Sequence, residues 1–264
     1  MSPNGRAPVE ILRSCSGFDS RHGSIYITNM MSIGETIIST ITEMPIGFQV
    51  GKRHFYLYPA SVGKTFIVSQ LIKSLDINKE ALIINPSLEI LSTVKKKREL
   101  CCRIIAYHTL NKKQDILNSR KVKERQSTFL KELNDEDIAT VLLTILNDDA
   151  VLKICKDTGI DKETKRMADV NRCKDTKNTF VFGGKTIWGN LIDIACERYG
   201  WSFEYVLWGI SYNNLTLMLK DKITSVFLSD EEMKKCHISR DRDFINGDDP
   251  EAVKREISKH RYYL

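Results

Sequence analysis

The stretch FYLYPASVGKTFIVSQLI, residues 55–72, decides how this chain is read. An apolar strand runs into a turn, then Gly63-Lys64-Thr65, then an apolar helix, which is the order in which a phosphate-binding loop is built. In such a loop Lys64 would reach phosphate and Thr65 would hold magnesium. The loop also needs a Gly five positions before Gly63, where consecutive N–H groups wrap the phosphate. That position is Tyr58, and Pro59 after it has no N–H to give. A magnesium-binding Asp at the end of a buried strand is equally hard to place. TVLLTILNDD ends in Asp148 and Asp149, but Ile138, Leu142, Ile145 and Leu146 recur at helical spacing. EALIINP resembles a strand yet ends in Asn85-Pro86 without an acid. The reading that follows is plainer: Pro59 ends a strand and Ser61 caps a helix. Lys64 and Thr65 then lie in the exposed first turn of that helix. A degenerate ATPase using Lys64 and Thr65 stands as the runner-up. A second GKT, in GGKTIWG at 183–189, lacks the upstream Gly too, since position 179 is Thr.

Working outward, PIGFQVGKRHFYLYP predicts a β-hairpin. Ile46, Phe48 and Val50 alternate with Gly47 and Gln49, and Phe55 and Leu57 alternate with Tyr56 and Tyr58. Gly51-Lys52 fits a two-residue turn with Gly at positive φ. On the other side, Val68, Leu71, Ile72 and Leu75 fall on one helical face. From there to about residue 156 the pattern is helical. SLEILSTVKKKRELCCRIIAYHTL follows the break at Asn85-Pro86, and NDEDIATVLLTILNDDAVLKI begins at an Asn/Asp cap. The expected fold is mainly α (α+β), an N-terminal β-hairpin packed on a helical body. The expected organisation is a flexible tail over 1–24, a β-hairpin plus helical domain over 25–156, a polar linker or loop over 157–178, and a C-terminal helical region over 179–264. Met30 or Met31 could replace Met1 as the start.

Composition bounds the function. The 264 residues are 42% hydrophobic and 28% charged, as in a folded globular chain. No apolar run approaches the roughly 20 residues that cross a bilayer, and the polar N-terminus lacks a signal-peptide core, so a cytosolic, non-membrane protein is expected. The net charge of +6 permits nucleic-acid contact, but acids interrupt the basic residues, and KKKREL at 95–100 fits a solvated helix face. Nucleic acid is therefore not the expected partner, and a basic nucleic-acid-binding protein stands as a further alternative. Seven cysteines without CxxC or zinc spacing suit reduced, mostly buried thiols, with no metal site. The histidines His22, His54, His108, His237 and His260 are dispersed and have no nucleophile motif near them. DRDFINGDDP at 241–250 does not follow the EF-hand spacing and fits a surface turn.

The informative segment is ERYGWSFEYVLWGISYNNLTLMLKD. Trp201, Tyr205, Trp208 and Tyr212 recur every three or four residues, and Gly209 and Ser211 suggest a break after which Ser211 caps a helix through Leu215, Met218 and Leu219. Core packing accounts for at least half of these side chains. The remainder suit a partner groove, where aromatics and Met concentrate. Trp201, Tyr205, Trp208, Tyr212, Leu215 and Met218 are the candidates.

YGWSFEYVLWGIS followed by a Leu-rich helix resembles the helical region of tail assembly chaperones and related small tail proteins of tailed bacteriophages. Tyr56-Leu57-Tyr58-Pro59 running into ASVGKTFIVSQLI resembles their hairpin-to-helix passage, and FGGKTIWGNLID is similar to their sequences. The resemblance covers about residues 44–75 and 180–220, and the long insertion between them departs from the shorter chaperones. It implies a non-enzymatic assembly factor without cofactor, holding tail-tube or tape-measure subunits soluble in the host cytoplasm. An incorporated structural tail component is a close variant, and a homo-oligomer is left open.

Overall fold

A computed structural model describes residues 32–147, 149–174 and 182–237 of the chain. Helix α1, Ile33–Ile41, starts at a Ser32–Glu35 capping box. Strands β1, Ile46–Val50, and β2, Arg53–Leu57, pair antiparallel with Val50 opposite Arg53, so Gly51-Lys52 forms the two-residue turn and Gly51 takes a φ of 57°. The alternation works as expected for Phe48, Val50, Phe55 and Leu57, which are buried, while Ile46 stays exposed.

Helix α2, Val62–Lys73, begins at Ser61, whose hydroxyl accepts the Lys64 N–H at 3.3 Å. Val68 and Leu75 are buried, with Leu71 and Ile72 packed beside them, so the predicted stripe is its core face. EALIINP is not a strand: Asn78 caps a short helix α3, Lys79–Ile84. Asn85 then caps helix α4, Pro86–His108, with proline at its first position, where the missing N–H costs nothing.

Helix α4 is broken at Lys97 (φ −134°, ψ 43°). The Lys97 amine donates to the carbonyls of Ser74 and Leu75 at 2.9 and 3.1 Å, and the Arg98 guanidinium ion-pairs with Asp135 at 2.8 Å. Half of KKKREL is therefore not a solvated face. Lys95 and Lys96 are exposed, but Lys97 and Arg98 are half-buried and tie α4 to its neighbours.

Helices α5, Lys113–Ile116, α6, Ser119–Glu132, and α7, Asp135–Leu146, follow, and α4 packs chiefly against α6 and α7. Phe129 of α6 is fully buried, its ring 5.0 Å from Phe55 and 6.0 Å from Phe48, so the hairpin lies on the helical body through aromatic contact. TVLLTIL is helical as predicted, while Asp148 lies outside the described residues. Helix α8, Ala150–Thr158, packs on α1.

The expected linker over 157–178 is a helix instead, α9, Ile160–Cys173. Its Lys, Glu, Arg, Ala and Met favour helix, and Ile160, Met167, Val170 and Cys173 recur at helical spacing as its half-buried face, a thin stripe among charged residues. Helices α10, Ile187–Tyr199, α11, Phe203–Trp208, α12, Tyr212–Lys220, and α13, Asp230–Lys235, complete the described chain. The domain boundaries also differ from expectation. One compact unit holds residues 1–160 with 183–222, and a second holds 161–182 with 223–264. The aromatic segment thus belongs with the hairpin body, because α11 packs directly on α2.

In the second unit Cys173 and Cys236 form a disulfide with their Cα atoms 5.8 Å apart, which corrects the expectation of reduced thiols at these two positions. Cys101, Cys102 and Cys155 are free and buried, as that reading supposed. The two-stranded hairpin is the sheet of a mainly α fold, as expected. No helix of the described residues is long and apolar enough to cross a membrane. The tail over 1–24 and the Asp-rich turn at 241–250 lie outside the described residues.

Candidate partner-binding site

Three short helices carry the aromatic residues, and each is started by a hydroxyl. Thr186 accepts from Gly189 N, Ser202 from Tyr205 N and Ser211 from Asn214 N, at 3.2 to 3.3 Å. Gly200, at a φ of 65°, ends α10, and Gly209 ends α11. The predicted break is therefore present, and the four aromatics do not form one stripe.

The break lets α12 lie across the entrance to α2. Tyr212 N donates to Ala60 O at 2.8 Å, and Ser61 and Ser211 form an isolated antiparallel bridge. Glu43, held at a φ of 53°, accepts from Ser211 N at 2.8 Å and from the Asn214 side chain at 3.1 Å. Its strained backbone is thus fixed by the segment that it anchors.

The sequence candidates divide into two groups. Leu215 is fully buried with Val62, Ala195 and Val206, so it is a core residue and not a docking one. Trp208 covers Gly63, where an added Cβ would stand 2.8 Å from its ring, and Tyr212 lies 5.9 Å from Trp188, which in turn packs edge-on to Phe66 at 4.2 Å. These aromatics seal α2. Trp201 and Tyr205 face each other edge-on at 5.0 Å, Tyr199 packs 4.7 Å from Trp201, and the Tyr199 hydroxyl donates to Met218 O at 3.2 Å. Tyr205, Met218 and the neighbouring Phe203 remain exposed, at 44%, 37% and 60%. Sequence reasoning missed Trp188, Phe203 and Glu43. The two aromatics were legible as neighbours of the chosen stripe, whereas nothing local marks Glu43.

At the GKT turn, Lys64 is only 1% exposed, not in an open first turn. Its amine has one acceptor, Tyr58 O at 3.5 Å, and burial pushes its pKa down to about 7. The His108 ring lies beside it. Burial first and the Lys64 charge second drive the His108 pKa down to about 3, opposed by a hydrogen bond to Tyr58. Thr65 spends its hydroxyl on Ser61 O at 3.0 Å. With Trp208 over Gly63 and the Lys64 amine enclosed, the turn offers no phosphate cradle, and Lys64 and Thr65 are placed as packing and helix-start residues.

An open groove of about 800 Å³ along α6 is lined by Arg53, Arg120, Lys123 and Lys131, but also by Glu124 and Glu132. No aromatic ring lines it, so it lacks a stacking platform for bases. Among the described residues, no group of three or more His, Cys, Asp or Glu side chains could hold a metal ion. No family model, no curated protein and no solved structure matches this chain.

Proposed function

We propose that this chain is a non-catalytic assembly protein of a tailed phage or prophage. It acts in the host cytoplasm as a chaperone for tail-tube or tape-measure subunits. The observation that supports this reading is that Phe203, Tyr205 and Met218 are left exposed on two capped helices. The buried Val206 and Leu215 hold those helices from behind. Exposed apolar side chains carried on fixed helices cover another apolar surface with less loss of conformational entropy than mobile ones. The resemblance of residues 44–75 and 180–220 to tail proteins names the partner class.

Co-expression with the tail-tube or tape-measure subunit encoded nearby tests the proposal. A soluble complex is expected, and the double variant Tyr205→Asp/Met218→Asp is expected to weaken it by at least about 2 kcal/mol, as loss of a binding hot spot does. A chain that neither solubilises nor co-purifies with either subunit removes the proposal.

A further inference from the structure

Every member of the two hydrophobic clusters lies within residues 48–146 or 191–219, inside the unit built from 1–160 and 183–222. Among the described residues the second unit adds nothing to either cluster, and neither α9 nor α13 holds a fully buried side chain. A small unit without a core of its own usually needs a covalent or metal tie. Here the tie is Cys173–Cys236, which joins the last residue of α9 to the residue that caps α13. It links the two stretches from which the unit is made, 161–182 and 223–264, across a separation of 63 residues.

The tie is within reach of solvent. Cys173 and Cys236 are half-buried, whereas Cys101, Cys102 and Cys155 are fully buried. Burial pushes the Cys101 and Cys102 thiols up to about 11 and about 12, so they are poor nucleophiles near neutral pH. Thiol exchange is therefore directed to the half-buried cysteines, and of these Cys173 and Cys236 are joined while Cys196 is free. The open state also has its acceptors in place. Cys173 Sγ stands 3.5 Å from Asp169 O, and Cys236 Sγ stands 3.8 Å from Val170 O. As thiols, each can donate its S–H to a carbonyl already at hand.

We propose that Cys173–Cys236 is a redox switch, which fastens the second unit when closed and releases α9 and α13 from each other when opened by a dithiol. Opening moves two electrons. One thiolate of the dithiol attacks a cysteine sulfur and breaks the S–S bond, and its second thiolate then displaces that cysteine. The dithiol leaves as its own disulfide, and its two protons end on the Cys173 and Cys236 sulfurs. The first unit keeps both hydrophobic clusters in either state, so the change is confined to the second.

The full chain, equilibrated over a range of reduced-to-oxidised dithiothreitol ratios, then alkylated and peptide-mapped, tests this. Amide hydrogen exchange is read at both ends of the range. Cys173 and Cys236 are expected to be linked to each other at the oxidising end and alkylated together at the reducing end, without denaturant. The amides of α9 are expected to exchange about tenfold faster or more once the bond is open, while those of α4 keep their rates. Cys236→Ser should exchange in both buffers as the reduced protein does, and the two states of the unsubstituted chain decide the matter should that variant not fold. A Cys173–Cys236 link that never forms overturns the proposal. Equal α9 exchange in the two states overturns it too, as does a loss of α4 protection on reduction, which would make the bond a staple of the whole fold.

Discussion

The chain writes Gly-Lys-Thr twice and folds it in two ways. At 63–65 the tripeptide lies inside α2, one residue after its start, with Lys64 enclosed and Thr65 donating back to Ser61 O. At 184–186 it precedes α10: Gly184 takes a φ of 66°, Lys185 is exposed and Thr186 is the cap. The difference is one of phase relative to the helix start. A cap at Ser61 places the lysine on the turn that α11 and α12 cover, whereas a cap at Thr186 leaves its lysine before the helix, in water. The same three residues therefore carry no fixed chemistry, and what surrounds them assigns their roles.

The largest effect that would break this comparison is on charge. Lys64→Met removes a buried amine, and the chain is expected to gain about 3 kcal/mol near neutral pH. Lys185→Met is expected to change stability by less than about 0.5 kcal/mol. The sign with pH follows from the depressed pKa. Between about 7, the folded value, and 10.5, the ordinary value, the unfolded chain binds the extra proton, so stability rises with pH across that window. Denaturant midpoints measured from pH 6 to pH 10.5 check this, and the rise should flatten in Lys64→Met. An unchanged slope in that variant would mean that the amine is not enclosed.

The next effect is steric. Gly63→Ala drives a methyl against the Trp208 ring and is expected to cost about 1–3 kcal/mol. Gly184→Ala meets no atom within 4 Å and is expected to cost about 1 kcal/mol, from its positive φ alone. Trp208→Leu should relieve the first substitution and leave the second as it was, which a double-mutant cycle of thermal unfolding separates. The smallest effect sharpens the helix phase. Ser61→Ala and Thr186→Ala, which remove caps, should each cost about 1 kcal/mol. Thr65→Ala should cost only a few tenths of a kcal/mol.

Much of the local structure was legible, because it is written in neighbouring residues. The hairpin alternation, the Ser61 and Ser211 caps and the break at Gly209 each depend on contacts a few positions apart. What escaped depends on distant ones. Trp208 covers Gly63 while Lys64 lies against Tyr58 and His108, and α4 breaks at Lys97 with neither Pro nor Gly there, where the Lys97 amine reaches the carbonyls of Ser74 and Leu75. In α9 the helix propensity was present and Ile160, Met167, Val170 and Cys173 recur at helical spacing, but so thin a stripe among charged residues is masked by the polar composition. At the candidate site, the exposed Tyr205 and the buried Leu215 were both written as apolar residues on one helical pattern. Only the packing against Val62 tells them apart.

Helix α2 is served by two different stretches of chain, and this fixes an order of events on the ribosome. Val68 joins a core built from residues 48 to 142, whereas Val62, less than two turns away, is covered by residues 195 to 215. A nascent chain can therefore close the C-terminal part of α2 early. The front of the same helix, with the lysine turn, must wait uncovered while the middle of the protein is still being made.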